Sequence, residues 1–343
     1  MKKLIPVFAI FTLVSCSEQP AETAAASGKQ TIYTTNYPLA FFAEQIAGPD
    51  ANVEVIFPEI DGDPAFWEPT DQDVAGFQNA TLILKNGATY AKWMEQASLP
   101  ESIQRDTSKA FASDYIFVKE AGAHTHGKGE AHAHTGTAFT TWIDFQQAIW
   151  QAEEVHAALF ELMQEDKKGI DERFNSLAGE LDVMHKKLLE IGRKLDGQPL
   201  VGSHPIYQYL ARRYDLNLRM VHWEPDVVPD EKGVDELTKT LVDFDAKVMI
   251  WEDTPEAESV EKLEAMGIKS IVFNPAGNRP ENDDFLKTMR ANVAALGELV
   301  WPKVDAPAVE APTPVESRSV EKKFPPKLKI EPVPKTVPEA LKE

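Results

Sequence analysis

The sequence has a single cysteine, Cys16, among its 343 residues. One thiol excludes a disulfide within the chain and zinc sites built from several cysteines. Long hydrophobic runs are also lacking, since the apolar stretch at residues 4–14 is far shorter than the roughly 20 residues of a membrane-spanning helix. Phosphate-binding glycine loops and serine–histidine–carboxylate arrangements are missing, which argues against nucleotide hydrolysis and serine-type catalysis.

Basic residues are few, with 35 Lys and Arg against 55 Asp and Glu, and the net charge is −20. Residues 30–302 hold 24 basic and 46 acidic residues, a net charge of −22. A negative field of this size repels nucleic acid and concentrates cations. The charge therefore predicts no nucleic-acid partner.

The N-terminus has the pattern of an export signal. Lys2 and Lys3 precede the short apolar stretch, which ends in Leu13-Val14-Ser15-Cys16. This ending resembles the lipobox of bacterial lipoproteins, which implies cleavage before Cys16 and acylation of its thiol. The alternative is a plain secretory signal with a cysteine near its cleavage site. We expect a protein of the bacterial cell envelope, lipid-anchored through Cys16 on the periplasmic side or the outer face of a membrane.

Short β-rich runs alternate with amphipathic helical segments between residues 30 and 302. This alternation predicts an α/β fold with two lobes, each with a parallel β-sheet flanked by helices. The predicted strands are residues 31–35, 53–57, 81–84, 200–203, 218–222, 247–251 and 270–273. The predicted helices are residues 39–47, 71–79, 144–163, 170–195, 205–214, 234–244 and 255–266.

The helix at 170–195 keeps one apolar face for about seven turns, which predicts a long backbone helix joining the two lobes. The predicted organisation follows from this helix and from the composition of the chain ends. It comprises a signal peptide at 1–16, a tether at 17–29, an N-terminal lobe at 30–169, a linking helix at 170–197, a C-terminal lobe at 198–302 and a proline-rich, extended tail at 303–343.

Ligands of parallel α/β sheets bind at the carboxyl ends of the strands. These ends are rich in metal-binding side chains, and our main candidates are His204 and Glu252. His204 is predicted to end a strand, with Pro205 opening the next helix. Its imidazole either binds a ligand or caps that helix. Further candidates near the same cleft are Asn274, His222, Asp63 and Glu68.

Four of the eight histidines lie within eleven residues of a predicted loop at 121–136, at His124, His126, His132 and His134. In an extended chain, the two imidazoles of a His-x-His pair point the same way and can bind one cation. Imidazole favours zinc, copper or nickel over magnesium or calcium. The alternative is a solvated loop that binds metal loosely.

The remaining histidines, His156 and His185, lie in helical segments with charged neighbours, which predicts solvated positions. Tryptophans near predicted strand ends are more typical of a core than of a binding surface. Four of them still leave open an aromatic cleft for an organic ligand or metal chelate: Trp67, Trp142, Trp223 and Trp251.

Several segments, in order from residue 30 to 301, resemble the solute-binding proteins of bacterial zinc and manganese ABC importers. They are Thr34-Thr35-Asn36-Tyr37-Pro38-Leu39, Asp63-Pro64-Ala65-Phe66-Trp67-Glu68-Pro69-Thr70, Leu82-Ile83-Leu84-Lys85-Asn86-Gly87, Thr141-Trp142-Ile143-Asp144, Gly202-Ser203-His204-Pro205-Ile206-Tyr207 and Phe273-Asn274-Pro275. The resemblance implies one metal ion between two lobes and delivery of that ion to a membrane permease. A histidine-rich loop such as 124–134 is typical of the zinc branch.

The sequence departs from the family at the ligand positions. The family supplies three histidines and one carboxylate, whereas this chain has Ala65 and Thr140 at the first two histidine positions and Asn274 at the acidic one. Only His204 matches. One imidazole and an amide do not hold zinc tightly, because four good donors are the norm. Either other residues, such as the loop histidines and Glu252, supply the missing metal ligands, or the cleft binds a different ligand.

The sequence thus predicts a lipid-anchored binding protein that captures a divalent ion, zinc in first place and manganese as the alternative. We expect a monomer that hands its ion to an ABC permease without chemistry on a substrate. The first alternative is a binding protein of this fold whose cleft takes an organic solute or chelate. The second is a metal-dependent hydrolase using His204 and Glu252, although no paired general acid and base is visible.

Overall fold

The computed structural model describes residues 29–49, 52–60, 62–118 and 136–301. The predicted signal peptide, the tether up to residue 28, the histidines at 124–134 and the tail therefore lie outside the described residues. None of the helices in these ranges is both long enough and apolar enough to span a bilayer.

The first sheet contains four parallel strands in the order β2-β1-β3-β4. They are β1 (Gln30–Thr34), β2 (Val53–Ile56), β3 (Leu82–Lys85) and β4 (Gln104–Asp106). Helices α1 (Tyr37–Ala47) and α2 (Asp71–Gln78) connect the first three of them. The hydroxyl of Thr70 and the carboxylate of Asp73 form the capping box that starts α2.

A short antiparallel pair follows, made of β5 (Phe117–Val118) and β6 (Gly136–Thr137). It brackets the histidine-rich stretch in the chain. Two long helices come next, α3 (Phe145–Leu162) and α4 (Lys167–Leu195). The apolar face predicted for α4 is buried at Leu177, Leu181, Met184, Leu188, Ile191 and Leu195, and it belongs to one core that reaches both sheets.

The second sheet is also parallel, in the order β10-β9-β7-β8. Its strands are β7 (Leu200–Gly202), β8 (Leu218–Met220), β9 (Val248–Trp251) and β10 (Lys269–Val272). The helices of this half are α5 (Gln208–Tyr214), α6 (Glu231–Leu241), α7 (Ala257–Ala265) and α8 (Phe285–Gly297). Two four-stranded parallel sheets with helices, joined through α4, confirm the predicted fold class.

Four elements escaped prediction, namely the two-residue strands β5 and β6, strand β4 and helix α8. Strand β4 has the polar sequence Gln-Arg-Asp, so it carries no apolar signal. Helix α8 was also missed, although the side chain of Asp284 caps its first turn. The predicted helix at 234–244 begins and ends three residues earlier, since the carboxylate of Asp230 accepts from the backbone N–H of Gly233.

Two predictions about histidines are wrong. His156 is half-buried between α3 and α4, where its ring packs on Phe174 and its Nε2 lies 2.8 Å from Asp171. His185 is half-buried beside α5, with Nδ1 3.2 Å from the Tyr214 hydroxyl. Neither lies on a solvated helix face, because the neighbouring helix covers the ring.

Candidate metal site

His204 follows β7, the second strand from one edge of the second sheet, and its side chain is fully buried. The chain does not enter a helix at Pro205 as predicted. Residues 203–207 form a turn, and α5 begins at Gln208 with Tyr207 at the N-cap position. The alternative role of His204 as a helix cap is therefore wrong.

Two carboxylates approach the same imidazole nitrogen. The Nδ1 atom of His204 lies 3.3 Å from Oε1 of Glu224 and 3.9 Å from Oε1 of Glu252. One donor atom from each of the three residues lies within 4.8 Å of the others. An imidazole nitrogen and two carboxylate oxygens this close together form a donor set for a divalent cation.

The charged groups around Glu252 are of one sign. Burial, followed by the negative charge of Glu224, raises the pKa of Glu252 well above the usual range of a glutamate. Smaller contributions in the same direction come from Asp63, Asp253 and Asp226. A cation bound here would relieve this repulsion between carboxylates.

One further carboxylate near the candidate site, that of Asp63, comes from the first half of the chain. Its Oδ1 atom accepts from the backbone N–H of Ala65 at 2.8 Å and so caps the turn Pro64–Phe66. Its negative charge contributes to the raised pKa of Glu252 and to the raised pKa of Tyr90. Burial is the largest cause of both shifts. The charge of Asp63, in the first half of the chain, is therefore close enough to act on Glu252.

The other predicted positions do not join the group of three. Glu68 is exposed. His222 is exposed as well, with its ring centroid 6.2 Å from that of His204. The Oδ1 atom of Asn274 accepts from the N–H of Ala276 at 2.7 Å, so this amide stabilises a turn. His124, His126, His132 and His134 lie outside the described residues, and their role stays a prediction.

The two empty family positions serve packing. Ala65 is buried. Thr140 is also buried, and its hydroxyl donates to the carbonyl of Ile206. This contact joins the chain after β6 to the turn after His204.

Glu224 lies four residues beyond the end of β8, at the same predicted strand end as His222. The more exposed histidine, and not Glu224, was selected there as a ligand candidate. The available signal is the position of Glu224 directly after Trp223, because a buried aromatic residue in an extended chain turns the next side chain to the opposite face.

The aromatic residues do not form an open binding surface. Trp142, Trp223 and Trp251 are buried in the core, and the indole N–H of Trp142 donates to the carbonyl of Pro275 at 2.7 Å. Trp67 is half-buried against Phe77 and Trp93. The structure therefore gives these four residues packing roles.

Two α/β halves, with a donor set at the strand ends of the second sheet, have the architecture of two-lobed binding proteins. The chain belongs to the family described as zinc-uptake complex component A, periplasmic, which matches residues 32–299. The resemblance found in the sequence is thereby confirmed.

Individual relatives are distant. The chain is 25% identical over 322 residues to the zinc-binding lipoprotein AdcA of Streptococcus pneumoniae, a match covering 90% of this chain and 62% of that protein. It is 24% identical to the high-affinity zinc uptake system protein ZnuA of Bacillus subtilis, covering 85% of this chain and 95% of that protein. The chain thus spans less than two thirds of AdcA and nearly all of ZnuA.

Solved structures share the fold. The metal-dependent lipoprotein YcdH from Bacillus subtilis superposes with a TM-score of 0.66 at 20% identity, covering 79% of this chain and 100% of that structure. The Zn(II)-bound ZnuA-like domain of Streptococcus pneumoniae AdcA superposes with a TM-score of 0.65 at 21% identity. This match covers 80% of this chain and 99% of that structure. These likenesses establish the two-lobed architecture.

Proposed function

We propose that the protein is the ion-binding component of an ABC importer for a divalent metal, with zinc as its cargo. It captures the ion at His204 and hands it to a membrane permease, without chemistry on a substrate. The observation that supports this proposal is the buried imidazole of His204 with two carboxylate oxygens within 3.9 Å. Family membership and the zinc-related names of the relatives point in the same direction.

The donor chemistry suits a transition metal. The imidazole nitrogen favours zinc, and the carboxylates also suit manganese, which remains the alternative cargo. Two carboxylates balance the charge of one divalent ion. Zinc prefers four donors, so one position remains for water or for a histidine of the 124–134 stretch.

The proposal includes the cell envelope as the site of action. The chain would be attached to a membrane through acylated Cys16 and would act as a monomer beside its permease. The strong negative charge of residues 30–302 supports the capture of cations, since it raises their concentration at the protein surface.

Zinc titration of the full chain, purified without an affinity tag, tests the function. We expect one high-affinity site per chain, measured by competition with a chelator of known affinity. His204→Ala should weaken this site by more than about tenfold, equivalent to about 1.4 kcal/mol. The metal-free thermal midpoint of the variant is the control for folding.

Two results would contradict the proposal. One is a wild-type protein that binds neither zinc nor manganese tightly. The other is a His204→Ala variant that binds zinc normally and unfolds early, which would make His204 a structural residue. A purified protein carrying an organic molecule in place of metal would favour the organic-solute alternative.

A further inference from the structure

We infer that the protein ligands of the ion include both glutamates of the second sheet, so that Glu224 and Glu252 replace the donors missing at Ala65 and Thr140. The inference rests on the proposed function and specifies its ligands. It assigns Glu224 a binding role that the family motifs do not indicate.

The backbone of three neighbouring strands fixes these donors. In the sheet order β10-β9-β7-β8, strand β7 lies between β9 and β8. The register pairs Gly202 with both Ile250 and Met220. Two hydrogen bonds extend the ladder beyond the strands, from Ser203 N–H to Ile250 at 2.8 Å and from Trp223 N–H to Ser203 at 2.7 Å. The residues that follow are therefore held side by side.

A pair of buried tryptophans fixes the backbone directly before each glutamate. Trp223 directly precedes Glu224 and Trp251 directly precedes Glu252, and the two buried rings are 6.0 Å apart. The indole N–H of Trp223 donates to the carbonyl of Gly233, and that of Trp251 donates to the hydroxyl of Ser270. Because side chains alternate in an extended chain, burying each indole directs the following carboxylate to the opposite face.

The two halves are joined here by direct hydrogen bonds. The hydroxyl of Thr140 donates to Ile206, that of Tyr209 donates to Ala138 at 2.8 Å, and the indole of Trp142 donates to Pro275. These contacts use the chain segment around the second family histidine position. The hydroxyl of Thr140 is thus used in a hydrogen bond between the halves. Glu224, by contrast, has its Oε1 atom 3.3 Å from Nδ1 of His204.

The test compares charge-removing variants of similar shape in the full chain. Glu224→Gln and Glu252→Gln each remove one proposed ligand. Asp226→Asn is the matched control, because this exposed carboxylate also contributes to the negative field at Glu252 but is not one of the three clustered donors. We expect zinc affinity to fall by more than about tenfold in the two glutamine variants and by less than about threefold in the control.

The outcomes separate the inference from the proposed function. Wild-type affinity in Glu224→Gln, with a loss in His204→Ala, overturns the role of Glu224 and leaves the function standing. Equal losses in Glu224→Gln and Asp226→Asn overturn it too, because they show only a general effect of charge. If the wild-type protein does not bind zinc, the proposed function itself is contradicted.

A second measurement does not depend on the folding of any variant. X-ray absorption of the wild-type protein with one equivalent of zinc reports the ligand atoms. We expect a shell with carboxylate oxygens and no more than two imidazoles. A shell of three or more imidazoles would overturn the inference and favour ligands from the 124–134 stretch.

Discussion

The histidines of the described residues differ in what surrounds them. His204 faces two carboxylates, whereas His185 lies between α4 and α5 beside the Tyr214 hydroxyl. Burial, followed by the positive charge of Arg213, lowers the pKa of His185 from its ordinary value of 6.5. The folded protein therefore holds this ring in its neutral form more strongly than the unfolded chain does.

This pKa shift predicts a pH dependence of stability. Below about pH 6.5 the unfolded chain takes up a proton at His185 before the folded protein does, so acidification favours unfolding. We expect His185→Gln to lose less stability than the wild type between pH 7.5 and pH 5.5. Urea unfolding of metal-free protein at both values measures the difference. Equal losses in both proteins would show that His185 titrates alike in the folded and unfolded states.

Among the secondary-structure elements, α4 makes an unusually close contact with the end of α5. A Cβ atom added at Gly192 would lie 1.9 Å from the backbone carbonyl oxygen of Tyr214. The absence of a side chain at this position thus permits the approach of the two helices. The same contact holds α5, which follows the turn containing His204.

We expect Gly192→Ala to destabilise the protein by about 1–3 kcal/mol, because a backbone atom cannot move aside as a flexible side chain can. Gly179 provides a matched control in the same helix, since a Cβ there would meet nothing within 4 Å. Gly179→Ala should be stabilising by up to about 1 kcal/mol, from the better helix propensity of alanine. Chemical denaturation of both variants checks this, and equal effects would contradict the close contact.

At the scale of the whole molecule, the proposal is of a binding protein held at a membrane. Cys16 and residues 303–343 lie outside the described residues, so the anchor and the tail stay predictions. One acyl chain gives marginal attachment, and the lipoproteins that the lipobox resembles carry more than one.

We expect Cys16→Ser to leave the chain unprocessed or to release it from the membrane as a soluble form. Cell fractionation, together with the mass of the purified protein, measures this change. An unchanged membrane fraction and a mass that differs only by the substitution would count against the lipobox. Zinc binding of the variant should equal that of the wild type, because the proposed site lies at the strand ends of the second sheet.

The sequence by itself determined the apolar strands of both sheets, the long helix and the edge of the sheets where ligand groups gather. These follow from local periodicity, because α4 repeats its apolar residues at helical spacing. Glu252 directly follows the apolar strand β9, and His204 lies two residues beyond β7. Motifs that occur in the family's order, such as Gly202-Ser203-His204, also indicated the protein family.

Only the tertiary structure decided which side chains meet. Glu224 joins His204 because β8 lies beside β7, a pairing between segments about 20 residues apart that local patterns do not encode. His156 and His185 are covered by neighbouring helices, although each lies among charged residues in the sequence. Contacts of this kind depend on the packing of distant elements, and the donor set of the candidate site is one of them.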